Sequence, residues 1–358
     1  MNIRKILRRL LPLIPAAAGL LCLGVCRLFP AVAEWVFARG VRRGLSALLG
    51  TVTGFLPFSL AELLVVTALP AAVALVVRAV RRPAVRAKLL RGCAWCVSSA
   101  FLLYLLMHGL QYARLPLSEQ MGLSVSHSSS VERLADLTAY FAEKASAARA
   151  ACKEDAQGCM RLSTTTGEVL KSGGEGYARL AVRYPFLRGT ADRAKGVVLS
   201  HWWSYTGITG MYFPLTAEAN VNVDVPADEM LMTISHELAH TRGYAHEDEC
   251  NFLGILACVN HPAVEWQYAG WLAAYQYTAD ALYAADADAY YEVAARCSDG
   301  MRRDLARRAA YWSGFEGPVE EISAEVNNAF IQVNGDSDGI ARYGQVTALL
   351  MAYYADGV

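Results

Sequence analysis

The sequence predicts a two-part chain: an α-helical membrane anchor of three transmembrane helices, then a mainly α, α+β domain with a small sheet before its most polar helix. Three observations carry that reading. Charge is unevenly divided along the chain, the first third holds three long apolar stretches, and the remainder changes once from strand-like to helical patterning, near residue 226.

The formal net charge is zero, but residues 1–112 carry fourteen Lys and Arg against only Glu34 and Glu62. The other 246 residues hold nineteen basic and 31 acidic groups, a balance of minus twelve. Such asymmetry points to two environments in one chain. The acidic part has no basic stripe with interleaved aromatics, which excludes nucleic acid as an expected partner.

Residues 1–113 read as the membrane region, with spans at about 10–26, 57–77 and 92–113. Arg9 and Arg27 bracket the first, which has no charge; seventeen residues at about 1.5 Å each are just long enough for a hydrocarbon core. A lone apolar N-terminal stretch would suit a signal peptide, whereas two further spans argue for retained helices. The basic N-terminal flank "MNIRKILRR" and the basic loop "RAVRRPAVRAKLLR" (Arg78–Arg91) belong on the cytoplasmic side by the positive-inside bias. Three spans then place the N-terminus in the cytoplasm and everything after Arg114 outside it, in a multi-pass protein of the cell membrane. Between the first two spans, "AVAEWVFARGVRRGLSALLG" reads as an amphipathic helix on the outer surface, in contact with lipid.

Residues 114–130 read as a linker, with the polar run "SEQMGLSVSHSSS", and 131–358 as the soluble domain. "VERLADLTAYFAEKASAARAA" has helical spacing, and another helix is expected to follow "TTTGEVLKSGGEG". "KGVVLSHWWSYTGITGMYFPLTAEANVNVDVP" alternates aromatic and β-branched residues with glycines, the pattern of short strands and turns. Its 211–223 portion is a candidate edge strand for an extended peptide substrate. Cys93 and Cys96 form a CxxC by spelling only, while Cys152 and Cys159 flank a polar stretch and are close enough in sequence for a disulfide.

"PADEMLMTISHELAHTRG" has helix signals at both ends: Pro226 to begin, Asp228 and Glu229 at the positive end, Gly243 to stop. His236 and His240 fall one turn apart, so both imidazoles can reach one Zn²⁺ at about 2.1 Å. Glu237 lies beside the pair, placed to hold a metal-bound water as general base. Three residues offer the third ligand. The string H-E-L-A-H-T-R-G-Y-A-H spells the metzincin pattern and names His246, but neither Met301 nor Met351 has the setting of a methionine turn. Glu247 and Asn251 form an i, i+4 pair on the next helix, so Glu247 could bind metal while Asn251 hydrogen-bonds a ligand histidine. That is the gluzincin arrangement. Glu249 is the third alternative, and it would also suit support of an arginine or histidine behind the ligands.

"HELAHTRGYAHEDECNFLGILAC" resembles the HEL-H-x-x-G-F-x-x-EDEAN-F-x-x-L-x-C stretch of the bacterial membrane proteins called domain of unknown function 3810. "LYLLMHGLQYARLPL", "GITGMYFPLTAEANVN", "WQYAGWLAAYQY" and "NGDSDGIARYGQVTALL" resemble further segments of the same family. The resemblance covers most of the chain, with Cys250 in place of a family alanine. It implies a zincin-like, gluzincin-type metallopeptidase domain with one zinc per chain, a hydrolase acting on peptide or protein, its physiological substrate unassigned. His236, Glu237 and His240 match the family's HExxH, and Glu247, Glu249 and Asn251 its E-D-E-A-N. Tyr268 and Tyr343 match family tyrosines and could donate to a developing oxyanion; Arg342 is a weaker candidate. A membrane sensor whose domain binds metal or peptide without turnover is the alternative from another class.

Overall fold

The computed structural model describes residues 10–125, 130–189, 192–334 and 343–355, the last beginning with the backbone alone of Tyr343 and Gly344. Most described residues are helical, and one small three-stranded sheet accompanies them. The chain divides into two compact units: Met1–Leu115 with Phe213–Glu218, and Pro116–Tyr212 with Ala219–Val358.

Among the described residues the first unit holds three helices long and apolar enough to cross a membrane: α1 (Leu11–Leu28), α2 (Leu60–Arg81) and α3 (Pro83–Met107). Their apolar side chains point outward, with Leu21 70% and Leu69 73% exposed, as expected of surfaces meant for lipid. Ser98 of α3 accepts a hydrogen bond from the Ala16 backbone N–H at 2.9 Å, satisfying a donor in the first turns of α1. The basic stretch Arg78–Arg91, expected as a loop, is instead helical on both sides of Arg82. Pro83 opens α3, and the residue before a proline is barred from the helical region; Arg82 accordingly sits at φ −131° and makes the whole turn. Between α1 and α2 the chain is helical, as expected, but Ala33–Arg42 is wound as a π-helix. Buried Glu34 there accepts from Arg39 Nε at 2.6 Å and Arg114 Nε at 2.8 Å, so the charge is paired on both oxygens. The hairpin tip Phe213–Glu218 belongs to this unit because Glu218 caps α2: its carboxylate accepts from the backbone N–H of Leu60 at 3.2 Å and Ala61 at 2.8 Å.

The second unit is built on α4 (Val131–Ala150), α5 (Ala227–Thr241), α6 (Glu247–Val259), α7 (Val264–Ala285), α8 (Asp299–Ser313) and α9 (Pro318–Val333), with shorter helices between. One apolar core runs through it, anchored by fully buried Phe141, Tyr177, Tyr244, Phe252, Trp266 and Tyr268. Gly176 packs directly on α6, where a Cβ would stand 1.9 Å from the Ala257 carbonyl oxygen. The sheet has the order β1 (Ala194–Gly196), β3 (Glu218–Val221), β2 (Gly210–Phe213), with β1 parallel to β3 in the register Ala194–Ala219. The strands lie before α5, as the sequence pattern predicts, and β2 is an edge. "HWWSY", expected in the strand-like region, contributes a helical turn, Ser200–Ser204. Leu117–Met121, inside the expected linker, is also helical, and Leu117 is buried in the core. His127 and Arg342 lie outside the described residues.

All nine cysteines are free thiols. The Cys152–Cys159 disulfide is therefore absent: Cys152 Sγ donates to the Ala148 carbonyl and Cys159 Sγ to the Arg303 carbonyl, each turned to a different helix. A tight turn fills the space between them, with Asp155 Oδ1 accepting from the backbone of Gln157 and Cys159.

Candidate metal centre

α5 begins after Pro226, with Asp228 and Glu229 in its first turn, and ends where Gly243 takes φ +91°. An L side chain would be strained there, so glycine lets the chain turn at once and start α6 at Glu247. The two helices pack against each other, which lays the first turn of α6 beside the middle of α5.

Three side chains converge as a result. His236 Nε2 and His240 Nε2 stand 3.2 Å apart. The Glu247 carboxylate reaches to 3.1 Å from His236 Nε2 and 3.7 Å from His240 Nε2. Among the described residues these three form the group of possible ligands whose donor atoms lie within 4.8 Å of one another. The opposite ring nitrogens are tied back. His236 Nδ1 donates to Asn251 Oδ1 at 2.8 Å, and His240 Nδ1 to the Tyr244 carbonyl at 2.9 Å. A carbonyl oxygen only accepts, so the proton sits on Nδ1 and the Nε2 lone pair faces the common point.

Glu237 lies on α5 next to this group, 4% exposed, and its Oε2 has no hydrogen-bond partner among the described residues. Burial pushes its carboxyl up to about 8, partly opposed by the nearby His236. Burial alone would lower His236, but the hydrogen bond and charge of Glu247 carry it to about 9, so with no metal a proton is held on Nε2 against Glu247, at the point a metal would displace it from. The Tyr212 backbone hydrogen-bonds the Glu237 carboxylate, and Gly210 approaches it so closely that a Cβ would be 2.5 Å from Oε1. The edge strand β2 thus passes directly over the carboxylate.

The other sequence candidates are placed elsewhere. His246 occupies the N-cap position of α6 and is not among the converging donors. Glu249 is turned into the fold, where its carboxylate accepts from the Leu117 backbone N–H at 2.6 Å. Tyr268 is fully buried in the core, and its hydroxyl donates to Asp304 at 2.8 Å, so it is not brought to the cluster. The Tyr343 side chain lies outside the described residues. Three neighbours went unread in the sequence: the Tyr244 carbonyl, the Tyr212 ring stacked on His240 with centroids 6.1 Å apart, and Gly210. Cys250 Sγ stands 3.3 Å from His240 Nδ1 and shares the Tyr244 carbonyl with it.

No curated protein and no solved structure is similar enough to the chain to count as a match. One family model does match, over residues 37–351, which takes in α2, α3, the hairpin, the His–Glu cluster and all of α4 to α9. The matched range covers most of the chain and agrees with the resemblance carried by "HELAHTRGYAHEDECNF". The chain therefore belongs to the family described as "Protein of unknown function (DUF3810)".

Proposed function

We propose that the protein is a membrane-anchored, zinc-dependent metallopeptidase with a zincin-like domain, held in the cell membrane by α1, α2 and α3 with its N-terminus cytoplasmic and its catalytic domain extracytoplasmic. The observation that carries the reading is the convergence of two imidazole Nε2 atoms and one carboxylate whose far sides are already tied to Asn251 and Tyr244. Two ligands at about 2.05 Å on a tetrahedral ion stand roughly 3.3 Å apart, close to the 3.2 Å and 3.1 Å separations of this cluster. Lone pairs facing each other at that distance repel unless a cation or proton lies between them. The donor set, two neutral histidines and a glutamate, is that of a catalytic zinc site with a fourth position left for water.

Bound zinc would bring the pKa of that water to about 7 and polarise the scissile carbonyl. A dication beside Glu237 would offset the effect of burial and favour its ionised form, and the carboxylate would then take the water's proton and return it to the leaving amine. The Tyr212 backbone and the close pass of Gly210 hold that carboxylate in place. The exposed edge of β2 pairs with an extended substrate by main-chain hydrogen bonds, presenting the peptide alongside Glu237.

Metal analysis of the full-length protein tests the ligands. About one zinc per chain is expected. Glu247→Ala should lose it, and Asn251→Leu should weaken it roughly 10–100-fold by freeing the His236 ring. Full zinc in Glu247→Ala, or none in the unaltered protein, would overturn the ligand set. Zinc at one per chain with no cleavage of a peptide library would leave the sensor reading in its place. Gly210→Ala tests the strand: the added methyl displaces Glu237, so cleavage should fall at least about tenfold with zinc unchanged. Undiminished cleavage would detach β2 from the mechanism.

A further inference from the structure

Two buried asparagines, one in β3 and one just after it, direct their side chains at the segment that passes over Glu237. Asn220 Nδ2 donates to the Met211 carbonyl at 3.1 Å. Asn222 Nδ2 donates to the Ile208 carbonyl at 3.1 Å, and the Asn222 backbone N–H donates to the Thr209 carbonyl at 2.8 Å. The carbonyls of residues 208, 209 and 211, which flank Gly210, are therefore all held. Gly210 is the point of closest approach to α5: a Cβ there would stand 2.5 Å from Glu237 Oε1 and 2.6 Å from Thr233 Cγ2. A buried amide is costly unless its hydrogen bonds are made, and β-branched residues suit a buried strand better. The bonds are thus what the asparagines contribute at these positions.

The Asn222 amide can take only one orientation. Its Oδ1 accepts from the Asp224 backbone N–H at 2.9 Å, which leaves Nδ2 for the Ile208 carbonyl and for Ser204 Oγ at 2.9 Å. Ser204 is fixed in turn. Its hydroxyl shares a hydrogen bond with the Tyr311 hydroxyl at 2.5 Å, and Tyr311, on α8, donates to Asp224 Oδ2 at 3.0 Å. The asparagine is braced before it reaches the strand.

We infer that Asn220 and Asn222 are positioning residues that hold the backbone of β2 down on Glu237 and so fix the orientation of its carboxylate. The inference rests on the reading of Glu237 as general base. The close pass at Gly210 leaves no room for a methyl group, so the strand already lies at its lowest position. The asparagines keep it from lifting. A lifted strand would lose the hydrogen bond from the Tyr212 backbone to the Glu237 carboxylate and free that side chain to turn. Misplacing a reacting group by about 1 Å costs on the order of 10²-fold in rate.

Hydrogen exchange of the full-length chain, read at single amides, tests the hold directly. In Asn222→Ala the Tyr212 amide, which bonds Glu237, should exchange about tenfold faster. The Val197 amide, which donates to the Val221 carbonyl of β3, should keep its rate. Asn220→Leu, close in shape but without the donor to Met211, is the second variant, and the ratio of the two rates should rise there too. Thr278→Val is the control, since that buried hydroxyl bonds carbonyls of its own helix, α7; it should leave the ratio unchanged. Cleavage supplies the second arm. Asn222→Ala should lower kcat about tenfold by itself, but less than about twofold when added to Glu237→Gln, because its effect passes through that carboxylate. An unchanged ratio in both asparagine variants, or an equal loss of kcat with and without Glu237→Gln, would overturn the inference. If the unaltered protein cleaves no peptide, the general-base reading falls by itself, and the exchange ratio alone decides whether the asparagines hold β2 on Glu237.

Discussion

Glu237→Gln is expected to leave zinc at one per chain and to lower peptide hydrolysis by roughly 10²–10⁴-fold, the range of a general base. That is about 3–5 kcal/mol of barrier. The amide has nearly the shape of the carboxylate and keeps an oxygen to accept from the Tyr212 backbone. It cannot take a proton at neutral pH, so proton transfer is the function removed. Because Glu237 is not among the three converging donors, the metal should be indifferent to the change. The loss should fall on kcat with KM little altered, since in the proposed mechanism β2 and not this side chain would hold the peptide. Hydrolysis within tenfold of the unaltered protein would remove Glu237 from the mechanism. Loss of zinc together with activity would instead place Glu237 among the ligands.

The helix that carries this residue was legible in the sequence because its signals are local. Pro226, the two acids after it and Gly243 act through the backbone of their own turn, and α5 runs from Ala227 to Thr241 accordingly. The third converging donor was legible for a similar reason. Glu247 and Asn251 are one turn apart on α6, so once α6 lies beside α5 one reaches the shared point and the other the back of His236. Spelling alone favoured His246, but the turn at Gly243 leaves that residue as the first cap of α6. What lay beyond reach depends on contacts between distant segments. Gly210 and Tyr212 come to Glu237 and His240 only through the fold, and nothing in "GITGMYF" announces their neighbours. The helical hairpin at Arg82 was missed for the opposite reason. Six basic residues read as a loop, yet proline at the first position of a helix is a start signal, and the charges simply continue along α2 and α3. Tyr268 shows the limit of motif matching: a family tyrosine on a helix near the site turns out to face the core on the other side.

That placement makes Asp304→Ala the substitution with the largest expected effect on stability. Asp304 is fully buried and uses both carboxylate oxygens. Oδ2 accepts from Arg149 Nε at 2.5 Å and from the Tyr268 hydroxyl at 2.8 Å, and Oδ1 from the Met160 backbone N–H at 2.7 Å. It thereby ties α8 to α4, to α7 and to the segment after Gly158. Burial, reinforced by the Asp304 charge, pushes the Tyr268 hydroxyl far above its ordinary range, so it remains a donor. Truncation would leave the Arg149 guanidinium, itself 3% exposed on its side chain, without its buried counter-charge and two further donors unsatisfied. Breaking a buried pair in this way costs about 3–5 kcal/mol. For a domain of this size each kcal/mol moves the unfolding midpoint by roughly 2–4 °C, so a fall of about 6–20 °C is expected in a thermal melt. Arg149 also donates to the Gly158 carbonyl at 2.9 Å and pairs with Glu154, so Asp304→Ala with Arg149→Met should recover only part of the loss. The double variant melting higher than Asp304→Ala alone would locate the cost in the stranded cation. A midpoint within 2 °C of the unaltered protein for Asp304→Ala would instead mean that water replaces the carboxylate, and that this network does not hold the helices of the second unit together.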